Sequence, residues 1–196
     1  MHRRFGRSPD STDADLDRDK TLVVRIAEGD EQAFEEFYVL YRRRLARFLG
    51  RFVNSADTVD ELINDVMFVV WQEAVRFECR SKVSTWVFGI AWHKALKALE
   101  RQKRSSARSG LALDNLPSTE RGNVEERDWL RRGLDKLSSE QRLVVELTFF
   151  AGCSYEEIAA IAHCPINTVK TRMFYARQKL QHILKSLDAT HAEDRP

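Results

Sequence analysis

Residues 154–184 read SYEEIAAIAHCPINTVKTRMFYARQKLQHIL, and the organisation of the whole chain follows from them. Ser154 with Glu157 three residues on is a capping box, so a helix starts there. Ile158, Ala159, Ile161 and Ala162 lie close to one face of it. Pro165 lacks an N–H and clashes with a preceding helical turn, so the corner falls at His163, Cys164, Pro165 and Ile166. Asn167 then offers a side-chain cap to a second helix, along which Val169, Met173, Ala176, Leu180 and Leu184 keep helical spacing. From Asn167 to Leu187 there are five cations (Lys170, Arg172, Arg177, Lys179 and Lys185) and no carboxylate. A bracing helix, a tight corner and a one-signed second helix make the layout of a helix-turn-helix, whose second helix offers side chains to base edges and charge to phosphates. An ordinary helical hairpin with a solvated charged face would share some of these features.

The chain has 196 residues, 43% hydrophobic and 32% charged, with a net charge of +2. This suits one domain or two small ones. Attraction to nucleic acid must come from segregation of charge along the chain. Ten carboxylates between Asp10 and Glu36 face only Arg18, Lys20 and Arg25, whereas six cations between Lys94 and Arg108 face only Glu100. No apolar run approaches the ~20 residues of a membrane span, so no membrane insertion is expected. The arginines of MHRRFGRSPD have no apolar stretch behind them and do not read as a secretory signal. Three cysteines without a C-x-x-C pair suit a reducing cytoplasm. Cys153, His163 and Cys164 bracket the first helix of the hairpin but lack metal-site spacing, so no metal is expected.

Upstream, residues 1–20 are polar and aperiodic and read as a disordered tail. A short helix from Thr21 is stopped by Gly29, and Asp30 caps the next. That helix, Glu31 to Phe52, carries Phe34, Phe37, Tyr38, Tyr41, Leu45, Phe48, Leu49 and Phe52 as a buried stripe. Arg42, Arg43, Arg44, Arg47 and Arg51 form its other face, either solvated or in contact with phosphate. A third helix, from about Asp57 to Phe77, buries Leu62, Ile63, Val66, Val69, Val70, Ala74 and Val75. Asp57, Asp60, Glu61 and Asp65 crowd its first half, which compensates the helix dipole and equally suits docking of a basic partner. FECRSKVS reads as a loop. Ser84 or Thr85 caps a fourth helix to about Arg104, with Trp86, Val87, Ile90, Ala91, Leu96 and Leu99 inward. Trp71 and Trp86 are expected in the core. Trp92 is balanced between core and a base-stacking platform beside Arg80, Lys82, Lys94, Lys97 and Arg101.

Residues 105–123 shift to serine, glycine and proline and read as an interdomain linker. Helices resume from Val124 to Leu137, followed by a second capping box, Ser138 with Gln141, and a helix ended by Gly152. The expected architecture is all-α: two small helical domains, 21–104 and 124–187, joined by a flexible linker, with a tail at 188–196. No Gly-rich phosphate loop, no H-E-x-x-H and no paired nucleophile and base are present, so no catalytic residue, cofactor or small-molecule substrate is expected.

Four segments in this order resemble the extracytoplasmic-function (ECF) group of bacterial sigma-70 RNA polymerase sigma factors. GDEQAFEEFYVLY resembles the start of sigma region 2, and DELINDVMFVVW the helix that grips the polymerase clamp coiled coil. STWVFGIAWHKAL is similar to the promoter-melting and −10-reading segment. LSSEQRLVVELTFFAGCSYEEIAAIAHCPINTVKTRMFYARQKL resembles region 4 almost end to end. The resemblance implies a non-enzymatic, cytoplasmic specificity subunit with core RNA polymerase and promoter DNA as partners, and it suggests an anti-sigma factor that covers the same surfaces.

Residue by residue, the resemblance implies core binding through Glu61, Asn64 and Asp65. It implies −35 contacts from Asn167, Thr168, Lys170, Thr171, Arg172, Phe174, Tyr175, Arg177 and Lys179. For the −10 strand it implies Phe77, Arg80, Ser81, Lys82, Ser84, Thr85, His93, Lys94 and Lys97. Asn167 stands where a glycine is usual, and since both can cap a helix the fold is unaffected. Tyr175 where a cation is common, and the run Ala91-Trp92-His93, are departures that bear on base preference. A free-standing regulator built on the same hairpin remains an alternative at this level; it would bind duplex DNA without polymerase.

Overall fold

The computed structural model describes residues 13–53, 55–109, 133–134 and 136–193. The chain divides into two compact units, Met1–Ser118 and Thr119–Pro196. No strand occurs among the described residues.

In the first unit, α1 (Asp13–Ala27), α2 (Glu31–Leu49), α3 (Ala56–Glu73) and α4 (Val83–Ser109) pack together, with a single 3-10 turn, Ala74–Arg76, continuing α3. Gly29, at φ +87°, turns the chain between α1 and α2 where a side chain would be strained. Asp30 caps α2 by accepting the Ala33 N–H at 3.0 Å, and Arg25 pairs with it at 2.8 Å. These two contacts, the backbone N–H first, hold the Asp30 carboxyl below the usual carboxylate range. The α2 stripe is buried at Ala33, Phe37, Tyr41, Leu45, Phe48 and Leu49, with Phe37 and Tyr41 stacked at 4.4 Å. Burial of each leucine or phenylalanine of this stripe contributes about 1.5–3 kcal/mol.

The N-terminal expectation needs correction. Helix α1 begins at Asp13, eight residues before Thr21, so residues 13–20 are helical and not a disordered tail. The cause is a long-range contact. Asp19 is only 7% exposed and accepts a hydrogen bond from the buried Tyr41 hydroxyl. Arg44 lies over the Tyr41 ring at 4.9 Å and over Phe88 at 5.6 Å, so it is half-buried and leaves the arginine face that α2 was expected to expose. Asp19, Tyr41, Arg44 and Phe88 thereby tie α1, α2 and α4 together.

Other boundaries shift by a turn. Helix α2 ends at Leu49, not Phe52, and α3 ends at Glu73, not Phe77. Helix α4 starts at Val83, capped by the Lys82 carbonyl accepting the Trp86 N–H at 3.1 Å, so neither Ser84 nor Thr85 is the cap. It runs to Ser109, which makes helix of the first five residues of the expected linker. Val75, expected inward, is exposed.

In the second unit, α5 (Ser139–Phe149), α6 (Tyr155–Ile161) and α7 (Ile166–Glu193) follow. Both capping boxes form: Ser138 with Gln141 opens α5, and Ser154 with Glu157 opens α6. Helix α7 packs on both α5 and α6. It reaches Glu193, so residues 188–193 are helical and not a tail. Gly133 and Leu134 are helical and buried, and a Cβ on Gly133 would stand 3.2 Å from Leu180 Cδ2, which explains a glycine there. The rest of the expected linker, and residues 124–132 of the helix expected before Leu137, lie outside the described residues.

Candidate nucleic-acid and polymerase interfaces

The hairpin corner is built from α6 and α7. Ile158 and Ala159 carbonyls accept the N–H groups of Ala162 and Cys164 at 2.8 and 3.0 Å, a closure that forces His163 into the left-handed region at φ +48°. Left-handed backbone costs a non-glycine residue about 1–2 kcal/mol. His163→Gly is therefore expected to stabilise the second unit by about 1 kcal/mol, raising its thermal midpoint. An unchanged or lower midpoint would mean that the imidazole's own contacts outweigh the backbone relief. The Pro165 carbonyl accepts the Thr168 N–H at 2.9 Å and starts α7. Asn167 is thus the second residue of the helix, exposed, and not its cap.

Along α7, Val169, Met173, Ala176 and Ile183 are buried. At 100° per residue the opposite face carries Asn167, Thr171, Phe174 and Gln178, all exposed, with Lys170 and Arg177 on one flank and Tyr175 and Lys179 on the other. Thr168 is half-buried, and the Thr171 hydroxyl donates to the Asn167 carbonyl at 2.9 Å.

Arg172 behaves differently. It is half-buried, and its Nη1 donates to Cys164 Sγ at 3.6 Å, within the hairpin itself. Its charge also reaches Glu140 at the start of α5. Burial pushes that carboxyl up, but hydrogen bonds from its own backbone N–H, Ser138 and Ser139, with Arg172, bring it below its ordinary value. Of the three cysteines, Cys79 is exposed, Cys153 buried and Cys164 half-buried.

In the first unit, Glu61, Asn64 and Asp65 lie exposed on one side of α3. The Tyr38 hydroxyl donates to Asn64 Oδ1 at 3.3 Å, and Lys94 Nζ pairs with Asp65 Oδ2 at 3.1 Å. Next to this triplet the structure adds an apolar groove of about 390 Å³, lined by Glu31, Phe34, Tyr38, Asn64, Met67, Phe68 and Trp71. Trp71, expected in the core, is 36% exposed and meets Phe34 edge-to-face at 5.2 Å. Sequence reading missed the groove. Its signal was available: Phe68 and Trp71 fall outside the α3 stripe of Leu62, Ile63, Val66, Met67 and Val70.

The residues assigned to the −10 strand fall on the 77–83 loop and α4, and they divide into open and closed positions. Phe77 is half-buried and stacks on Trp86 at 4.7 Å. Arg80 is exposed and paired with Glu78, and Lys82 and Lys97 are exposed. Ser81 and Ser84 are half-buried, the Ser81 hydroxyl 3.4 Å from the Lys82 carbonyl. His93 Nδ1 lies 2.7 Å from the Gly89 carbonyl, so that nitrogen carries the proton. Lys94 is half-buried on Asp65, joining the −10 set to the docking set. Two placements are corrections. Thr85 is buried and faces the core, out of reach of DNA. Trp92 is 4% exposed and packs on Phe52 at 5.3 Å, so it is core and not a stacking platform.

Two helical units, one carrying a helix-turn-helix and one an acidic patch beside an apolar groove, have the layout of a modular helix-turn-helix protein. Family comparisons make this specific. Residues 37–105 match the model "Sigma-70 region 2" and residues 127–180 match "Sigma-70, region 4". The ECF RNA polymerase sigma-E factor of Escherichia coli strain K12 is 30% identical over 183 residues, covering 86% of this chain and 95% of that protein. The RNA polymerase sigma-H factor of Pseudomonas aeruginosa is 26% identical, covering 87% and 96%. Among solved structures, the sigma factor RpoE of Bartonella quintana, crystallised with the anti-sigma factor NepR, superposes with a TM-score of 0.67 at 27% identity, over 78% of this chain and 96% of that one. CnrH, solved with the cytosolic domain of CnrY, has a similar fold at TM-score 0.65 and 24% identity, over 86% and 98%. The chain belongs to the ECF group of the sigma-70 family of transcription initiation factors. Among the described residues no helix is long and apolar enough to cross a membrane.

Proposed function

We propose that this chain brings core RNA polymerase to promoters by dividing the work between its two units. Glu61, Asn64 and Asp65, with the apolar floor of Phe34, Phe68 and Trp71 beside them, dock on the polymerase. The acidic and apolar mixture suits a basic, amphipathic partner segment such as the clamp coiled coil. Helix α7 enters the major groove of a −35 element, with Lys170, Thr171 and Phe174 towards base edges and Arg177 and Lys179 towards phosphates.

The 77–83 loop and α4 take an unstacked base of the −10 strand. Extracting a base costs a few kcal/mol, which stacking on Phe77 and Trp86 at about 1–3 kcal/mol per base and attraction to Lys82 and Lys97 offset. A helical anti-sigma factor covering the docking groove would hold the protein inactive.

The observation that carries this reading is the capped hairpin whose second helix exposes Lys170, Arg177 and Lys179, with no carboxylate in the sequence from Asn167 to Leu187. The test is run-off transcription with purified core polymerase on templates enriched for binding. Lys170→Ala is expected to weaken duplex binding several-fold and to lower the salt slope of binding by about one. Sequence-specific binding by the chain without polymerase, and no transcription with it, would instead identify a free-standing regulator.

A further inference from the structure

The exposed face of α7 carries an unexpected chemical balance. Arg172 is the one arginine between Ile166 and Ala176, and its guanidinium is half-buried against Cys164. In the same turns Phe174 is 57% and Tyr175 53% exposed, their rings edge-to-face at 5.5 Å with 73° between planes. Ile166 opens the helix, also exposed. Two adjacent large aromatics on an otherwise polar surface mark a contact site.

In the major groove, guanine is read by a forked arginine or by lysine, and adenine by asparagine or glutamine. Thymine offers a C5-methyl group that apolar side chains read. The first turns of α7 therefore present an amide at Asn167, a point charge at Lys170 and an aromatic wall, with the arginine fork withdrawn.

From this surface we infer that the protein reads thymine methyl groups through Phe174, and that Arg172 braces the hairpin instead of reading a base. The inference rests on the reading of the hairpin as the duplex-binding element. Phe174 stands at the centre of the exposed face, so its ring faces the groove floor. Tyr175 stands at the edge; its ring fixes Phe174 from the side while its hydroxyl lies on the flank where phosphates run. Each thymine methyl buried against the Phe174 ring replaces water on both surfaces. A cytosine or a uracil at the same position leaves that ring partly wet.

The experiment uses holoenzyme reconstituted from the full chain and purified core polymerase. A duplex library randomised upstream of a fixed start region is enriched on it, and the winning duplex is remade with deoxyuridine for thymine in the upstream element. Binding is expected to fall about fourfold per contacted methyl. Phe174→Ala is expected to bind more weakly and to lose the thymine–uracil difference, and Phe174→Leu to keep it. Arg172→Met is expected to lower the melting temperature while enriching the same base pairs.

Equal binding of the thymine and uracil duplexes overturns the methyl readout. A changed base pair with Arg172→Met overturns the brace and returns Arg172 to the base-reading set. No enrichment over core polymerase alone removes the sigma-factor reading of the hairpin, and this inference with it.

Discussion

Asp65→Arg is expected to abolish polymerase binding, with run-off transcription falling by two orders of magnitude or more while the first unit stays folded. The side chain is exposed on α3 and pairs with Lys94 at 3.1 Å. Surface ion pairs of this kind contribute about 0–1 kcal/mol to stability, so folding tolerates the reversal. Docking does not: an arginine places a like charge against a basic partner at the centre of the Glu61, Asn64 and Asp65 patch, which costs several kcal/mol across an interface. Asp65→Asn separates the effects, because it keeps size and removes charge; it is expected to lose part of the affinity. Affinity measured directly, by displacement of a labelled sigma factor from core polymerase, decides the matter. If Asp65→Arg bound as tightly as the native chain, the docking surface would have to be sought elsewhere.

Asp19→Ala is expected to cost the first unit about 1–3 kcal/mol, because it leaves the buried Tyr41 hydroxyl without its acceptor. Asp19→Asn keeps an acceptor and removes the buried charge, so at neutral pH it is expected to be near neutral or stabilising. The pH dependence separates these effects. Burial, the dominant cause, holds the Asp19 carboxyl above its ordinary value of 3.8, against the lowering hydrogen bond from Tyr41. As pH rises above 3.8, the unfolded chain releases this proton first and the folded chain keeps it longer. The contribution of Asp19 to stability is therefore fully present below that pH and is lost as pH rises through the raised folded value. Denaturant unfolding of Asp19→Asn across this window is expected to lack that decline. A native-like slope in Asp19→Asn would show that Asp19 is as well solvated in the fold as in the open chain. Tyr41, pushed well above its ordinary 10.0 by burial first and then by Asp19, adds a second loss at alkaline pH, which Tyr41→Phe is expected to remove.

Much of the hairpin was legible in the sequence because its determinants are local. A capping box needs two side chains three residues apart, a proline stops a helix wherever it falls, and the stripe Val169, Met173, Ala176 needs only the 3.6-residue period. The same holds for the stripes of α2 and α3 and for the acidic patch on α3. Those features determined an all-α chain with a helix-turn-helix near its C-terminal end, and their order was sufficient for the family resemblance.

Tertiary structure decided what periodicity leaves undetermined. A period identifies a stripe, but the packing of neighbouring helices decides which residues on its flanks are covered. That is why Trp92 is core while Trp71 lines a groove, the reverse of the expectation for Trp71, and why Thr85 turns inward. It is also why residues 13–20, polar and without an apolar pattern, are helical: Asp19 finds its partner 22 positions away on α2. Arg172 is drawn to Cys164 and Lys94 to Asp65 by charge and geometry across helices, and no spacing rule along the chain encodes either contact.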